Sequence, residues 1–167
     1  MQRNMIKSTM QSGLTIGFLL SLKFLLSTSN NQFISLLALC VSILVIVALY
    51  QLTARSRKNE FGGTMTYWQA FGYVFQSYFF GTIISSLVIL TYMSLNPAYL
   101  EMLLDTTLKM YDRIKLPLDP STYDTAKTFY KPAPYALIVL FSSTLVGTFW
   151  ALILATFLKK EKSIFEE

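Results

Sequence analysis

The stretch QFISLLALCVSILVIVALYQL, residues 32–52, contains no charge, proline or glycine. A helix needs about 20 consecutive apolar residues to cross the hydrocarbon core of a bilayer. Residues 33–52 therefore read as a complete membrane span. Outward from it, charge is also missing from residues 61–100 and 132–158. A soluble domain does not carry runs of that length, so an integral membrane protein is the fold class to expect. Apolar residues make up 53% of the 167 and charged residues 14%, against about 25% in an ordinary soluble chain. Histidine is absent and cysteine occurs once, which excludes histidine catalysis, Cys/His zinc sites and a disulfide framework.

The other spans follow from the same arithmetic. Residues 9–26 form a shorter apolar stretch interrupted by Lys23. As a straight helix, residues 61–100 would run about 60 Å, twice the hydrocarbon thickness. A span is therefore expected at 71–95, with 62–70 along the interface, where Tyr67 and Trp68 suit the headgroup depth. A fourth span, 133–158, follows KPAP and stops at Lys159 and Lys160. The expectation is all-α: one membrane domain over residues 1–167, a four-helix bundle with an extracytoplasmic helical hairpin at 96–132.

Lys and Arg set the orientation. Arg3 and Lys7 precede the first span, Arg55, Arg57 and Lys58 follow the second, and Lys159, Lys160 and Lys162 follow the fourth. The connection 27–32 has no basic residue, whereas the long connection 96–132 has five. The balance favours both termini in the cytoplasm. The net charge of +5 sits at membrane edges, where anionic headgroups answer it, and needs no nucleic acid. Residues 1–29 also have the outline of a signal peptide, but Lys23 inside the apolar part favours a retained span.

In the hairpin, Asn96-Pro97 suits a helix start, with Asn as N-cap and Pro at the first helical position. Leu100, Leu103, Leu104, Leu108, Tyr111 and Ile114 then share one face, and Asp105 pairs with Lys109 one turn on. Lys115-Leu116-Pro117 ends this helix. A short second one starts near Asp119-Pro120, with Tyr123, Ala126 and Tyr130 on one side. The apolar face has three readings: it caps the bundle, lies on the leaflet or docks a partner. The mixed charge on the polar side weighs against the leaflet.

Small residues recur every four positions in three spans: Thr9, Gly13, Gly17 and Ser21; Ser77, Gly81 and Ser85; Ser143, Gly147, Ala151 and Ala155. Each set makes a groove where another backbone can approach, either inside the bundle or from another subunit. The second span lacks such a set, which makes it the expected lipid-facing helix.

Chemistry is sparse. Lys23 is the ionisable residue within a span; its long stem reaches the headgroups, or it faces the bundle or a lipid phosphate. No Asp or Glu lies in any span, which argues against a proton- or cation-coupled site. Gln76, with Tyr73 and Tyr78, suits hydrogen bonding between helices. Asp112, Asp119 and Asp124 read as solvated charges rather than a metal or acid/base set. Cys40 reads as a small core hydrophobe. Gly62-Gly63 ahead of Thr64 and Thr66 reads as a turn with a helix N-cap. Arg55, Arg57 and Lys58 are candidate lipid contacts as well as topology signals. No glycine-rich phosphate loop and no GxSxG occurs.

The basic loop followed by RKNEFGGTMTYWQAFGYVF, with Gly62-Gly63, Thr66, Ala70, Phe71 and Gly72, resembles a bacterial membrane family catalogued as domain of unknown function 4199, common in Bacteroidota. The resemblance implies an inner-membrane protein, carries no catalytic residues, and associates relatives with polyprenyl-phosphate glycosyltransferases. The expectation is a non-enzymatic accessory or scaffold in envelope or lipid-linked sugar assembly, without cofactor or metal. It sits in lipid, with a membrane protein or a second copy as partner and no nucleic acid. The other class to weigh is a small carrier or flippase for an amphipathic substrate, with Lys23, Gln76 and the tyrosines along its path.

Overall fold

The computed structural model describes residues 2–29, 31–113 and 120–160. The regular structure among them is helical: α1 Gln2–Ser27, α2 Gln32–Glu60, α3 Tyr67–Leu95, α4 Pro97–Arg113, α5 Pro120–Phe129 and α6 Pro132–Leu158. Four of these, α1, α2, α3 and α6, are long and apolar enough to cross a membrane. The chain groups into two compact units, Met1–Ser85 with Ser142–Glu167, and Ser86–Phe141.

In the first unit all four apolar helices share one core. Ile16 of α1, Val45 and Leu49 of α2, Val74 and Tyr78 of α3, and Ala151, Ala155 and Leu158 of α6 are buried together. The outer faces invert the soluble pattern. Phe18, Phe33, Leu39, Leu145, Phe149 and Phe157 are exposed, while Thr9, Ser12, Ser21, Thr53, Ser56, Ser77, Thr82 and Ser85 are buried. In water that arrangement would expose large apolar patches. In lipid the outward Leu and Phe side chains cost nothing, and the small polar residues let backbones meet.

The small-residue stripes of α1 and α3 mate with each other. A Cβ on Gly13 would lie 2.5 Å from Phe80 Cβ and 3.2 Å from the Ser77 carbonyl oxygen. One on Gly17 would lie 2.8 Å from Ile84 Cβ, and one on Gly81 would lie 3.0 Å from the Gly17 nitrogen. Gly147 of α6 receives the Tyr78 ring, whose Cδ1 would sit 2.1 Å from an added Cβ. On α2 a stripe of Ala38, Val41, Val45, Leu49, Thr53 and Ser56 is buried, and this helix packs on α1. Cys40 lies on the opposite, exposed face. It is therefore not a core residue: at its place on α2 the stripe runs through Ala38 and Val41 instead.

The α2–α3 connection is tightly built. Gly62 and Gly63 adopt φ of 63° and 88°, a region that glycine enters without steric cost. Gly63 N–H then donates to the Arg57 carbonyl at 2.9 Å, satisfying a free acceptor of the last α2 turn. Thr66 and Gln69 form a reciprocal capping box: Thr66 N–H donates to Gln69 Oε1 at 2.9 Å and Gln69 N–H to Thr66 Oγ at 3.3 Å. That cap starts α3 at Tyr67, four residues before the span expected from hydropathy. Residues 62–70 are thus a reverse turn and a first helical turn, with Met65 and Ala70 fully buried and Trp68 exposed. Met65 and Lys160 exchange two backbone hydrogen bonds of 2.8 Å, fastening the turn to the end of α6.

The second unit holds the end of α3, α4, α5 and the start of α6. Asn96 does not cap α4 with its side chain; its Nδ2 turns back and donates to the Tyr92 carbonyl at 3.1 Å. Leu100 is buried, Leu103, Leu104 and Leu108 are half-buried, and Tyr111 is exposed. Asp105 and Lys109 pair at 2.6 Å on the exposed side. Thr107 Oγ1 and Tyr130 Oη share a 2.7 Å hydrogen bond that joins α4 to the end of α5. Burial, and secondarily the neighbouring Tyr92, push the Tyr99 phenol up. Residues 114–119, which include Ile114, the Lys115-Leu116-Pro117 stop and Asp119, lie outside the described residues.

The glycine contacts separate two outcomes. Gly13→Ala and Gly81→Ala are expected to lower stability by about 1–3 kcal/mol through overpacking. Gly72→Ala, which would meet only the Met5 methyl at 3.8 Å, is expected to be neutral or to stabilise by about 0.5–1 kcal/mol. Unfolding midpoints of the purified variants in one detergent check this.

Candidate functional site

At the end of the first unit that carries the Arg55–Lys58 cluster, a cavity of about 340 Å³ opens between α1, α2 and α3. Ser8, Gln11, Ser12 and Thr15 line it from α1, Leu52, Arg55, Ser56, Asn59 and Glu60 from α2, and Tyr73 from α3. The spacing explains the convergence. Residues 8, 11, 12 and 15 share one helical face, as do 52, 55, 56 and 59. These two faces turn towards each other, while Ile6, Met10, Leu14 and Phe18 of α1 point outward.

The cavity is built from polar groups. Tyr73 Oη lies 2.9 Å from Ser8 Oγ and 2.8 Å from Ser12 Oγ, within hydrogen-bonding distance of both. One turn away, Thr9 Oγ1 donates to the Ile6 carbonyl at 2.9 Å and lies 3.4 Å from Gln76 Oε1. Ser56 is 4% exposed. Its Oγ, together with the Oε2 of Glu60, is buried without a hydrogen-bond partner. A buried polar atom left unpaired costs about 1–3 kcal/mol, so a cavity with two such atoms is ready to accept a polar guest. Its charges are one guanidinium, Arg55, and one carboxylate, Glu60; hydroxyls and the amides of Gln11 and Asn59 supply the rest.

The residues singled out in the sequence fall into distinct places. Arg55 lines the cavity, whereas Arg57 turns away, its Nη1 donating to the Leu158 carbonyl at 2.7 Å. A cation at the carboxyl end of a helix also complements the helix dipole, so Arg57 fastens α2 to α6. Lys58 is exposed. Lys23 is half-exposed in the penultimate turn of α1, where its carbonyl accepts from Ser27 Oγ at 2.9 Å. Gly13, Gly17, Ser77 and Gly81 are consumed in the α1–α3 contact. Ser21 and Ser85 are also buried, Ala151 and Ala155 sit in the core, and Ser143 is half-buried. Asp124 is exposed, while Asp119 and the side chain of Asp112 lie outside the described residues. Among the described residues no three Cys, Asp or Glu side chains come together as a metal site would need.

Composition hides the cavity. Ser8, Gln11, Ser12 and Thr15 are uncharged, and a lone Ser or Thr in a membrane helix ordinarily bonds its own backbone. The available signal was the polar spacing of 8, 11, 12 and 15 facing away from the apolar spacing of 6, 10, 14 and 18.

The inverted faces and the four apolar helices define a multi-pass α-helical membrane protein. The chain matches the family described as protein of unknown function (DUF4199) over residues 11–160, and it belongs to that family. No curated protein and no solved structure matches it.

Removing the Tyr73 hydroxyl tests the wall of the cavity. Tyr73→Phe leaves the buried Ser12 hydroxyl without this partner and is expected to destabilise the purified protein by about 1–3 kcal/mol. Tyr50→Phe, on an exposed position, serves as the neutral comparison in the same unfolding assay.

Proposed function

We propose that this is a non-enzymatic protein of the bacterial inner membrane, with both termini in the cytoplasm. In this reading it is an accessory subunit in envelope or lipid-linked sugar assembly that holds the polar end of an amphipathic ligand between α1, α2 and α3. The observation that carries the reading is the polar cavity with Ser56 Oγ and Glu60 Oε2 buried and unpaired. It opens beside the basic cluster, the part of the chain that the distribution of Lys and Arg assigns to the cytoplasm.

Holding is favoured over carrying. A carrier needs a polar path through the bundle, and next to this cavity the α1–α3 seam is closed by Gly13 on Phe80 and Gly17 on Ile84, with no room for a single Cβ. The same contact takes the α1 groove away from a second copy. A protein partner is then met elsewhere, and the α4–α5 hairpin offers exposed Met102, Met110, Tyr123 and Phe129 among charges.

Mild extraction from the native membrane, with mass spectrometry of retained small molecules, tests the reading. Wild type is expected to retain an amphipathic compound. Thr15→Phe, which narrows the cavity from an exposed wall position, and Asn59→Ala, which removes an exposed amide from its wall, are expected to lower retention about tenfold each with the melting temperature kept. Equal retention by wild type and both variants would contradict it.

A further inference from the structure

A second concavity adjoins the first. On the lipid-facing side of the α1–α3 seam, Ile6, Met10 and Leu14 of α1 and Phe80 and Ile84 of α3 border an apolar groove of about 480 Å³. Lys7 lies at its rim, and Gln11 lines both the groove and the polar cavity. Polar and apolar spaces thus meet across one side chain. From Ile6 to Leu14 a helix rises about 12 Å, most of the roughly 15 Å of hydrocarbon in one leaflet. The groove therefore matches a chain from a single leaflet. The polar cavity is at the small end of ligand pockets, which run about 300–1,000 Å³, a size for a headgroup and not for a whole lipid.

The charges indicate which headgroup. Arg55 in the cavity and Lys7 at the rim give two cations against the one carboxylate of Glu60, an excess of one positive charge that a phosphodiester balances. Arg55 presents a planar fork of donors suited to phosphate oxygens. Glu60, an acceptor, needs a donor from the ligand, and Ser56 offers a hydroxyl for the same group.

We infer that the ligand is an anionic membrane phospholipid bound in two parts: its phosphodiester and a terminal hydroxyl in the polar cavity, one chain along the α1–α3 groove. This rests on the ligand-holding reading above and adds to it the class of ligand and the seat of its chain. Phosphatidylglycerol carries both the donor hydroxyl and the single net negative charge; phosphatidylethanolamine carries a donor but is net neutral, and phosphatidylcholine is net neutral without a donor.

The test uses the full chain, delipidated and reconstituted in phosphatidylcholine vesicles doped with equal small amounts of the other two lipids. Lipid adducts are then read by native mass spectrometry. The expected result is an adduct enriched in phosphatidylglycerol over the vesicle composition. Enrichment of phosphatidylethanolamine instead would overturn the charge balance and the choice of ligand. Arg55→Gln and Met10→Trp are each expected to cut the enrichment about tenfold. Leu39→Trp, on the exposed face of α2, is expected to leave it unchanged. Loss with Arg55→Gln but not with Met10→Trp would overturn the two-part seat and keep the headgroup cavity. An adduct that simply follows the vesicle composition in every variant would overturn both.

Discussion

The contact on which the rest depends is the backbone approach of α1 to α3 at Gly13, Gly17 and Gly81. Lipid gives two apolar helices no reason to leave it for each other, so close packing must supply the attraction. A side chain at any of those three positions would force the helices apart. Their closeness has a second consequence. Gly13 and Gly17 turn one face of α1 to α3, which leaves Ser8, Ser12 and Thr15 on a neighbouring face with only α2 and Tyr73 to meet. The polar cavity is the space left where α1 is held to α3 and α2 crosses with hydroxyls, amides and one guanidinium on its facing side.

The basic cluster at the end of α2 does not act as one unit. By sequence, Arg55, Arg57 and Lys58 form a single group of positive charge. In space Arg57 parts from the other two: Arg55 and Lys58, three positions apart, share one face of α2, and Arg57 lies on another. Arg55 and Lys58 are both exposed, Arg55 at the wall of the cavity, and Arg57 closes the carboxyl end of α6. With the Met65–Lys160 backbone pair, Arg57 fixes the ends of α2, α3 and α6 together beside the cavity. This gives the site a stiff base, which a cavity with unpaired buried polar atoms needs if it is not to collapse.

Much of the architecture was legible because hydropathy and length determine it. The four apolar stretches, the small-residue stripes and the Asp105–Lys109 pair were all written in spacing. Pairing was not legible. Nothing in the stripes says that Gly13 meets Phe80 while Gly147 meets Tyr78, since each stripe is equally suited to several partners. The first turn of α3 was half legible: Gly62-Gly63 ahead of Thr64 and Thr66 announced a turn and a helix N-cap, whereas hydropathy placed the span from residue 71, and the capping box at Thr66 and Gln69 decides where the helix begins. Cys40 was misread because its neighbours are apolar on every side, and only the buried stripe of α2 says which face looks inward. The cavity was missed because uncharged polar residues give a weak signal when read one at a time.

The central claim is that a polar cavity, reachable from water, lies inside the α1–α2–α3 contact. Labelling of a thiol at Thr15, an exposed position of the cavity wall, tests it most directly. With Cys40→Ala as background, Thr15→Cys is treated with a membrane-impermeant maleimide in sealed vesicles of either orientation, with Leu14→Cys, at the same depth on the apolar outer face, as the comparison. Labelling of Thr15→Cys is predicted from the cytoplasmic face alone, at a rate well above that of Leu14→Cys. A thiol at 15 that reacts no faster than one at 14 from either face would contradict the claim.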